Sequence, residues 1–531
     1  REVEMVHVYP FKRVIREAGL LGVMSSYNDY DGFPIQGSYY WLMTRLRREM
    51  GFRGYVVSDS DAVEYLYSKH GTAADMKEAV LQAVQAGLNV RCTFRSPDSY
   101  VLPLRELIAE GAISMETIDE RVRDILRVKF MVGLFDAPYQ TDLKQADVEV
   151  NSMENQAVAL QASRESVVLL KNADCLLPLS KETIKTISVC GPNADDASYA
   201  LTHYGPLAVE VTTVLQGIQD KVGNTAQILY TKGCELVDKN WPESEILPSE
   251  PDTEEMKEIQ IAVDNARKSD VAVVVLGGNN RTCGENKSRT SLELPGHQLR
   301  LLQEVVKSGK PVVLVLVNGR PLSVNWADKH VPAIVEAWYP GSQGGKALAD
   351  ILFGDYNPGG KLTVTFPRTV GQIPFNFPHK PSSQVDGGNK TGLTGNMSRV
   401  NGALYPFGYG LSYTSFEVDN LKLDKEELKK GETLTVTVDV ANIGKVGGEE
   451  VVQLYIRDLV GSVTRPVKEL KGFQKLYLKA GEKKSLTFVL TEEDLAFCGA
   501  DMKMQVEPGE FRLWVGTSSA DERNESVFTL I

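Results

Sequence analysis

The chain has 531 residues, 42% of them apolar and 24% charged, and a formal net charge of −12. That length predicts three or four domains, and the composition is ordinary for folded protein with buried cores. The acidic balance repels phosphate backbones and argues against nucleic acid as a partner, while neutral ligands such as sugars carry no penalty.

No apolar run reaches the ~18 residues needed to cross a membrane, so no membrane partner is expected. Six cysteines lie far apart, with no CxxC pair and no HExxH motif. Buried free thiols are expected rather than a zinc site or a disulfide framework, and no metal is called for. No export signal is legible at Arg1, a position that reads as the middle of a domain.

In chain order, Val6, Tyr9, Phe11, Val14 and Ile15 fit one helix face. Leu20 to Ser26 reads as a short buried strand, followed by a turn at Asp31-Gly32. Trp41 to Met50 reads as helix. Gly54 to Asp59 is a strand ending in an acid, Asp75 to Ala86 a helix, and Leu88-Asn89-Val90 a third strand. Ile118, Val122 and Ile125 stripe another helix, closed by Gly133. Alternating strands and helices with acids at the strand ends describe part of a (β/α)8 barrel and its active face. Three strands cannot close a barrel, so about five are expected upstream or from another chain.

Residues 136–155 read as a polar linker. A second α/β block follows, with near-continuous apolar strands at Val271 to Leu276 and Val312 to Val317, the pattern of a sheet buried on both faces. Residues 371–402, crowded with Pro, Gly and Asn, read as a long exposed loop. From about residue 413 the period becomes two, as in Leu434, Val436, Val438 and Val440, which predicts an all-β sandwich of immunoglobulin or fibronectin type.

Two acids stand out. Asp59, at the end of GYVVSD, could attack an anomeric carbon, coordinate a metal or cap the next helix, and Asp61 competes for each role. Glu285 lies in a glycine- and polar-rich loop between Arg281 and Arg289. It is either a surface acid paired to arginine or a catalytic one. The loop lacks GxGxxG and GxxxxGK[ST], which argues against a nucleotide site. Tyr405 to Gly410 (YPFGYG) reads as an aromatic stretch packed between domains. Asn286, Asn389, Asn396 and Asn524 begin glycosylation sequons, and a glycan on Asn286 would crowd Glu285.

The stretches VMSSYNDYDGFP, GFRGYVVSDS, GENKSRTSLELPG, LVNGRPLSV, YPGSQGGKALADILFGDYNPGGKLTVTFP, YPFGYGLSYT and GGEEVVQLYIRD with RPVKELKGF occur in that order. With them the chain resembles the three-domain family 3 glycoside hydrolases, the β-glucosidase and β-xylosidase group. The resemblance implies a multidomain fold: the C-terminal portion of a (β/α)8 barrel at 1–135, the 136–155 linker, an α/β sandwich at 156–378, a linker at 379–412 and a fibronectin type III-like domain at 413–531.

The resemblance also implies Asp59 as nucleophile and Glu285 as acid/base. It places Met24 and Tyr27 at the −1 sugar pocket, and Ser60 where glucosidases often carry tryptophan and xylosidases cysteine. The strand reading Leu88-Asn89-Val90-Arg91 also departs from the family, which usually has an acid there. The expected enzyme is a retaining, exo-acting β-glycoside hydrolase releasing terminal non-reducing β-D-glucose from oligosaccharides or glycosides. A β-xylosidase or dual enzyme, and a non-catalytic carbohydrate-binding protein, are the alternatives. Retention by double displacement requires the two carboxyl groups about 5–5.5 Å apart, and no cofactor. The expected partners are the glycoside substrate and the upstream barrel segment; a homodimer is compatible with the sequence, and a periplasmic or extracellular location is expected.

Overall fold

The computed structural model describes residues 1–138, 142–198, 209–374, 377–381 and 402–531. The chain divides into two compact units, Arg1–Ala146 and Asp147–Ile531.

The first unit is built on the parallel strand pair Gly22–Ser25 and Tyr55–Ser58, in the register Met24 to Val57 and Ser25 to Ser58. Alternation splits the pair into two faces. Val23, Ser25, Val56 and Ser58 are buried, whereas Met24 is exposed and Tyr55 and Val57 are half-buried. The inner face packs with Leu42, Leu46, Phe52, Leu66, Ala83 and Leu88 into one core. The turn expected at Asp31-Gly32 joins two short strands, and both residues have positive φ, 54° and 82°.

Three expectations need correction. The third strand shrinks to a single bridge between Val57 and Val90. The reason is Asn89, whose side-chain oxygen accepts the Val56 N–H at 2.7 Å and so takes a donor the ladder would use. Its oxygen also accepts from Arg47, and its amide donates to the Arg121 carbonyl and to Asp124. The helix Met115–Met131 buries Arg121 and Asp124 beside the half-buried Ile118 and Ile125 of the predicted stripe, with Ile118 packed against Val80, Val84, Leu107 and Ile113; only Val122 of the stripe is exposed. The helical residues at 3–18 are present, but Val6, Tyr9, Phe11 and Val14 face outward.

The stretch expected to be a linker at 136–155 contains the helix Leu143–Glu149 and the start of another, Met153–Ser166. The second unit then forms a six-stranded sheet. Its order is Val168–Asn172, Ala333–Trp338, Val312–Val317, Val271–Gly277, Thr186–Cys190 and Gln227–Thr231. Five strands run parallel, and Val168–Asn172 lies antiparallel on the edge.

The two central strands are buried throughout. Ala272, Val274 and Leu276 face one layer of helices with Ile259, Leu301 and Leu302. Val271, Val273 and Val275 face the other, with Ile218, Leu348 and Ile351. Helices Val214–Val222 and Gly344–Leu352 meet through glycine: a Cβ on Gly217 would lie 2.0 Å from the Gly345 carbonyl oxygen.

Beyond residue 412 two sheets enclose a separate core. The three-stranded sheet holds Phe416–Leu423, Leu434–Asn442 and Lys483–Leu490; the five-stranded sheet includes Gly448–Asp458, Gly509–Gly516 and Glu525–Leu530. Leu434–Asn442 alternates strictly between buried and half-buried positions. Its inward residues join Val452, Leu454, Ile456, Phe511, Leu513 and Val515.

As expected, the YPFGYG stretch packs between domains, both within the second unit: from the β-sandwich, the Ser519 N–H donates to the Phe407 carbonyl at 3.0 Å and the Gln453 amide to the Gly408 carbonyl at 3.1 Å. The Tyr405 and Tyr409 rings stack at 5.6 Å, and Tyr409 donates to the Leu170 carbonyl at 3.1 Å. Asn389 and Asn396, with most of the loop expected at 371–402, lie outside the described residues.

The six cysteines are all free, and three of them, Cys190, Cys234 and Cys498, are buried. Among the described residues no helix is long and apolar enough to cross a membrane.

Candidate active site

Asp59 follows the strand Tyr55–Ser58, and its N–H continues the ladder by donating to the Ser25 carbonyl at 3.2 Å. Alternation puts its side chain on the face shared by Val57 and Met24. The carboxylate accepts the N–H of Ser60 at 2.7 Å. Capping of the next helix does not use it. The N-cap of Ala62–Ser68 is Asp61, at φ 56°, and no side chain caps that helix.

Asp61 is otherwise engaged. It accepts the Thr93 hydroxyl at 2.5 Å and lies 3.8 Å from Arg95. Tyr27 donates its hydroxyl to the Ser60 carbonyl at 2.8 Å and sets its ring 5.3 Å from that of Tyr65. The Ser60 hydroxyl faces the Cys92 sulfur at 3.7 Å, and the Asp61 N–H donates to the Cys92 carbonyl. Met24, Tyr27, Asp59 and Ser60 thus gather at one strand end.

Beneath them lies a charged pair that the sequence did not single out. Glu64 is 1% exposed and accepts from Arg91 Nε at 3.1 Å; Arg91 also donates to the Ser99 hydroxyl at 2.8 Å and stands over the Tyr100 ring. The signal in the sequence was Arg91 itself, a charge at a strand end that has to be matched once buried.

Glu285 belongs to the other unit, in the loop after the strand Val271–Gly277. The loop leaves the sheet at Gly277, φ 140°, where a Cβ would lie 2.0 Å from the Val317 carbonyl oxygen, so only glycine fits. Asn279 then organises the loop. Its carbonyl accepts the N–H groups of Thr282 and Cys283, both at 3.0 Å, and its side-chain oxygen accepts that of Arg281. A turn closed by Lys287 N–H to the Gly284 carbonyl, 3.2 Å, carries Glu285 at an exposed position.

Of the two arginines that flank Glu285 in sequence, Arg289 is engaged by another carboxylate. Arg289 pairs with Glu245, which also accepts the N–H and hydroxyl of Thr290 at 2.8 and 2.9 Å. Burial raises Glu245, but the Thr290 donors and Arg289 outweigh it and hold the carboxyl below its ordinary range. Glu245 carried no sequence signal, because its partners lie 44 and 45 positions away. Among the described residues no group of three or more His, Cys, Asp or Glu side chains is placed to hold a metal ion.

Three family models match the chain: the glycosyl hydrolase family 3 N-terminal domain at 1–128, the glycosyl hydrolase family 3 C-terminal domain at 167–413 and a fibronectin type III-like domain at 450–519. A β-xylosidase of Formosa agariphila is 37% identical over 530 residues, covering 98% of this chain and 70% of that protein. The chain belongs to glycosyl hydrolase family 3.

A periplasmic β-glucosidase of Salmonella typhimurium is 39% identical over 525 residues, 96% of this chain and 68% of that family 3 relative. The solved structure of a β-glucosidase from Erythrobacter marinus superposes with a TM-score of 0.88 at 36% identity, over 99% of this chain and 69% of that one. A β-glucosidase from Listeria innocua in complex with glucose gives 0.86 at 35% identity, over 98% and 68%. The family 3 chain is multidomain and carries its fibronectin type III-like domain at the C-terminal end.

Proposed function

We propose that this family 3 chain is a retaining, exo-acting β-glycoside hydrolase that releases terminal β-D-glucose, with Asp59 as nucleophile and Glu285 as acid/base. The observation that best supports it is the state of Asp59. Its carboxylate sits at a strand end, oriented by the Ser60 N–H, while the neighbouring acid Asp61 is bound to Thr93 and Arg95. A carboxylate so placed can form a glycosyl ester. Glu285, exposed on the turn closed by Lys287 and Gly284, donates a proton to the leaving oxygen and then takes one from water. The mechanism needs the two carboxyl groups about 5–5.5 Å apart. Met24, Tyr27 and Ser60 line the sugar side of Asp59 in this reading.

Replacing Asp59 with alanine tests it. Turnover should fall on the order of 10⁴-fold or more, the scale of losing a covalent nucleophile, while the fold persists. Near-normal turnover would remove Asp59 from the mechanism. Glu285→Ala should slow substrates with poor leaving groups far more than activated aryl glycosides, and azide should restore part of the rate.

A β-xylosidase or dual activity is the second reading. The Formosa agariphila relative favours it, whereas the small Ser60 beside Asp59 leaves space without deciding between pentose and hexose. Rates on aryl glucoside and aryl xyloside side by side decide between them. A released-sugar assay excludes the non-catalytic reading.

The finer fold reading makes residues 1–135 the C-terminal portion of a (β/α)8 barrel and the six-stranded block an α/β sandwich. Its support is the two-stranded parallel sheet with Met24 outward and the outward apolar face of Val6, Tyr9, Phe11 and Val14. Large apolar side chains exposed in such number suit an interface, and further barrel strands would cover them. Residues 1–531 alone should be inactive and should gain turnover when that barrel segment is supplied; robust activity without it would refute this. Export to the periplasm or beyond agrees with the Salmonella relative's name.

A further inference from the structure

We propose that Arg320 is the positioning residue of Glu285. Resting on the reading of Glu285 as acid/base, this says which side chain fixes the carboxyl-bearing turn against the sheet. Arg320 follows the central strand Val312–Val317 through Asn318 and Gly319. A single terminal nitrogen, Nη2, donates to the Thr282 carbonyl at 3.0 Å and to the Lys287 carbonyl at 2.9 Å. Those two residues bracket Glu285, three positions before it and two after.

The turn needs such a clamp. Gly284 and Asn286 both have positive φ, 144° and 60°, and Glu285 between them is exposed. The Lys287 N–H to Gly284 carbonyl bond closes a turn that carries a non-glycine residue in the left-handed region, so its geometry depends on what holds its two ends. Charge-assisted bonds to its two ends supply what the turn lacks. Among the described residues no carboxylate lies within ion-pair distance of Arg320, so its charge serves these carbonyls.

The clamp is rooted in the sheet. The Arg320 N–H donates to the Asn318 side-chain oxygen at 3.2 Å, and the Asn318 amide reaches both oxygens of Glu336 at 3.1 Å. Glu336 is fully buried in the adjacent strand and accepts the Trp338 N–H at 2.8 Å. The loop also rests directly on the strand end. A Cβ on Gly319 would lie 2.6 Å from the Cys283 sulfur and from the Tyr339 ring. A rigid floor, one arginine and two carbonyls therefore set the position of Glu285, as a proton donor requires.

The test compares Arg320→Ala, Arg320→Lys and Glu285→Ala in the full chain supplied with its barrel segment. kcat/KM is measured over aryl glycosides of graded leaving-group acidity, and amide exchange over residues 282–288. Arg320→Ala should lose about tenfold to a hundredfold on the poorest leaving groups, within the share a general acid contributes. It should stay within about threefold of the parent on the most activated substrate. Arg320→Lys should recover part of the loss, and exchange should rise in 282–288 and not in 312–317. An equal loss on every substrate, or a leaving-group dependence equal to the parent's with 282–288 still protected, overturns the inference. Should Glu285→Ala itself lack the leaving-group signature, the reading of Glu285 falls and the inference with it. A parent-like Arg320→Ala beside a Glu285→Ala that has the signature sinks only the inference.

Discussion

Replacing Glu245 with alanine should loosen the C-terminal root of the Glu285 loop. The Glu245 and Arg289 side chains are 6% and 3% exposed. Removing one partner of such a pair strands a buried charge and costs about 3–5 kcal/mol. Arg289 keeps a bond to the Glu293 carbonyl at 3.0 Å, which favours the lower end. Thr290 loses the acceptor of its N–H and its hydroxyl, each worth about 1 kcal/mol. A local cost of about 3–4 kcal/mol is a rise of a few hundredfold in the opening equilibrium, at 1.4 kcal/mol per tenfold. Native-state hydrogen exchange over 284–296 reads this directly, whereas one melting midpoint of a multidomain chain would not. Because the native carboxyl is held below its ordinary 4.5, its contribution is present above that value and is lost as pH falls through the lower native one. Loop protection in the parent should therefore persist at neutral pH and fail only in acid. Protection in Glu245→Ala within about twofold of the parent would refute the reasoning.

Glu64→Ala should destabilise the first unit by about 3–5 kcal/mol, since it leaves Arg91, 4% exposed, without its carboxylate. Replacing both by methionine should recover much of the loss in a denaturant titration, and equal losses would show that the pair is not coupled. Burial pushes the Glu336 carboxyl up to about 8, against the Trp338 and Asn318 donors that lower it. A raised native value means that the native state holds a proton the unfolded chain releases from about 4.5 upward. Stability should therefore fall between pH 4.5 and 8, and Glu336→Gln should flatten that slope; identical slopes would contradict the assignment.

Legibility in the sequence followed the range of the interaction. Leu434 to Val440 and Val271 to Leu276 announced their strands because burial alone imposes the period. Asp75 to Ala86 was legible through Val80, Ala83 and Val84 on one face, which the structure buries. Leu88-Asn89-Val90 read as a strand, yet one side-chain amide took over part of its ladder, a choice no local pattern encodes. Ile118 and Ile125 marked the inward side of their helix, but not that its most buried members would be Arg121 and Asp124, where Asn89 meets the Arg121 carbonyl and Arg47 pairs with Asp124.

The same holds at the candidate site. Asp59 and Glu285 were legible from a strand-end acid and a glycine-rich loop, and through the family resemblance. Arg320 lay within a motif already noted, LVNGRPLSV, but its partners Thr282 and Lys287 are 38 and 33 positions away. Glu245 sits in an irregular stretch whose path is set by the fold. Long-range polar pairing of this kind depends on where the backbone travels, and composition and period do not record that.

The most direct measurement is covalent trapping. The complete protein is treated with a 2-deoxy-2-fluoro-β-glucoside bearing a good leaving group, then digested, and the labelled peptide is sequenced by mass spectrometry. A fluoroglucosyl ester on Asp59 is the expected result, formed with loss of activity at a matching rate. The sugar on Asp61 or on any other residue, or inactivation without a covalent adduct, would contradict the mechanism.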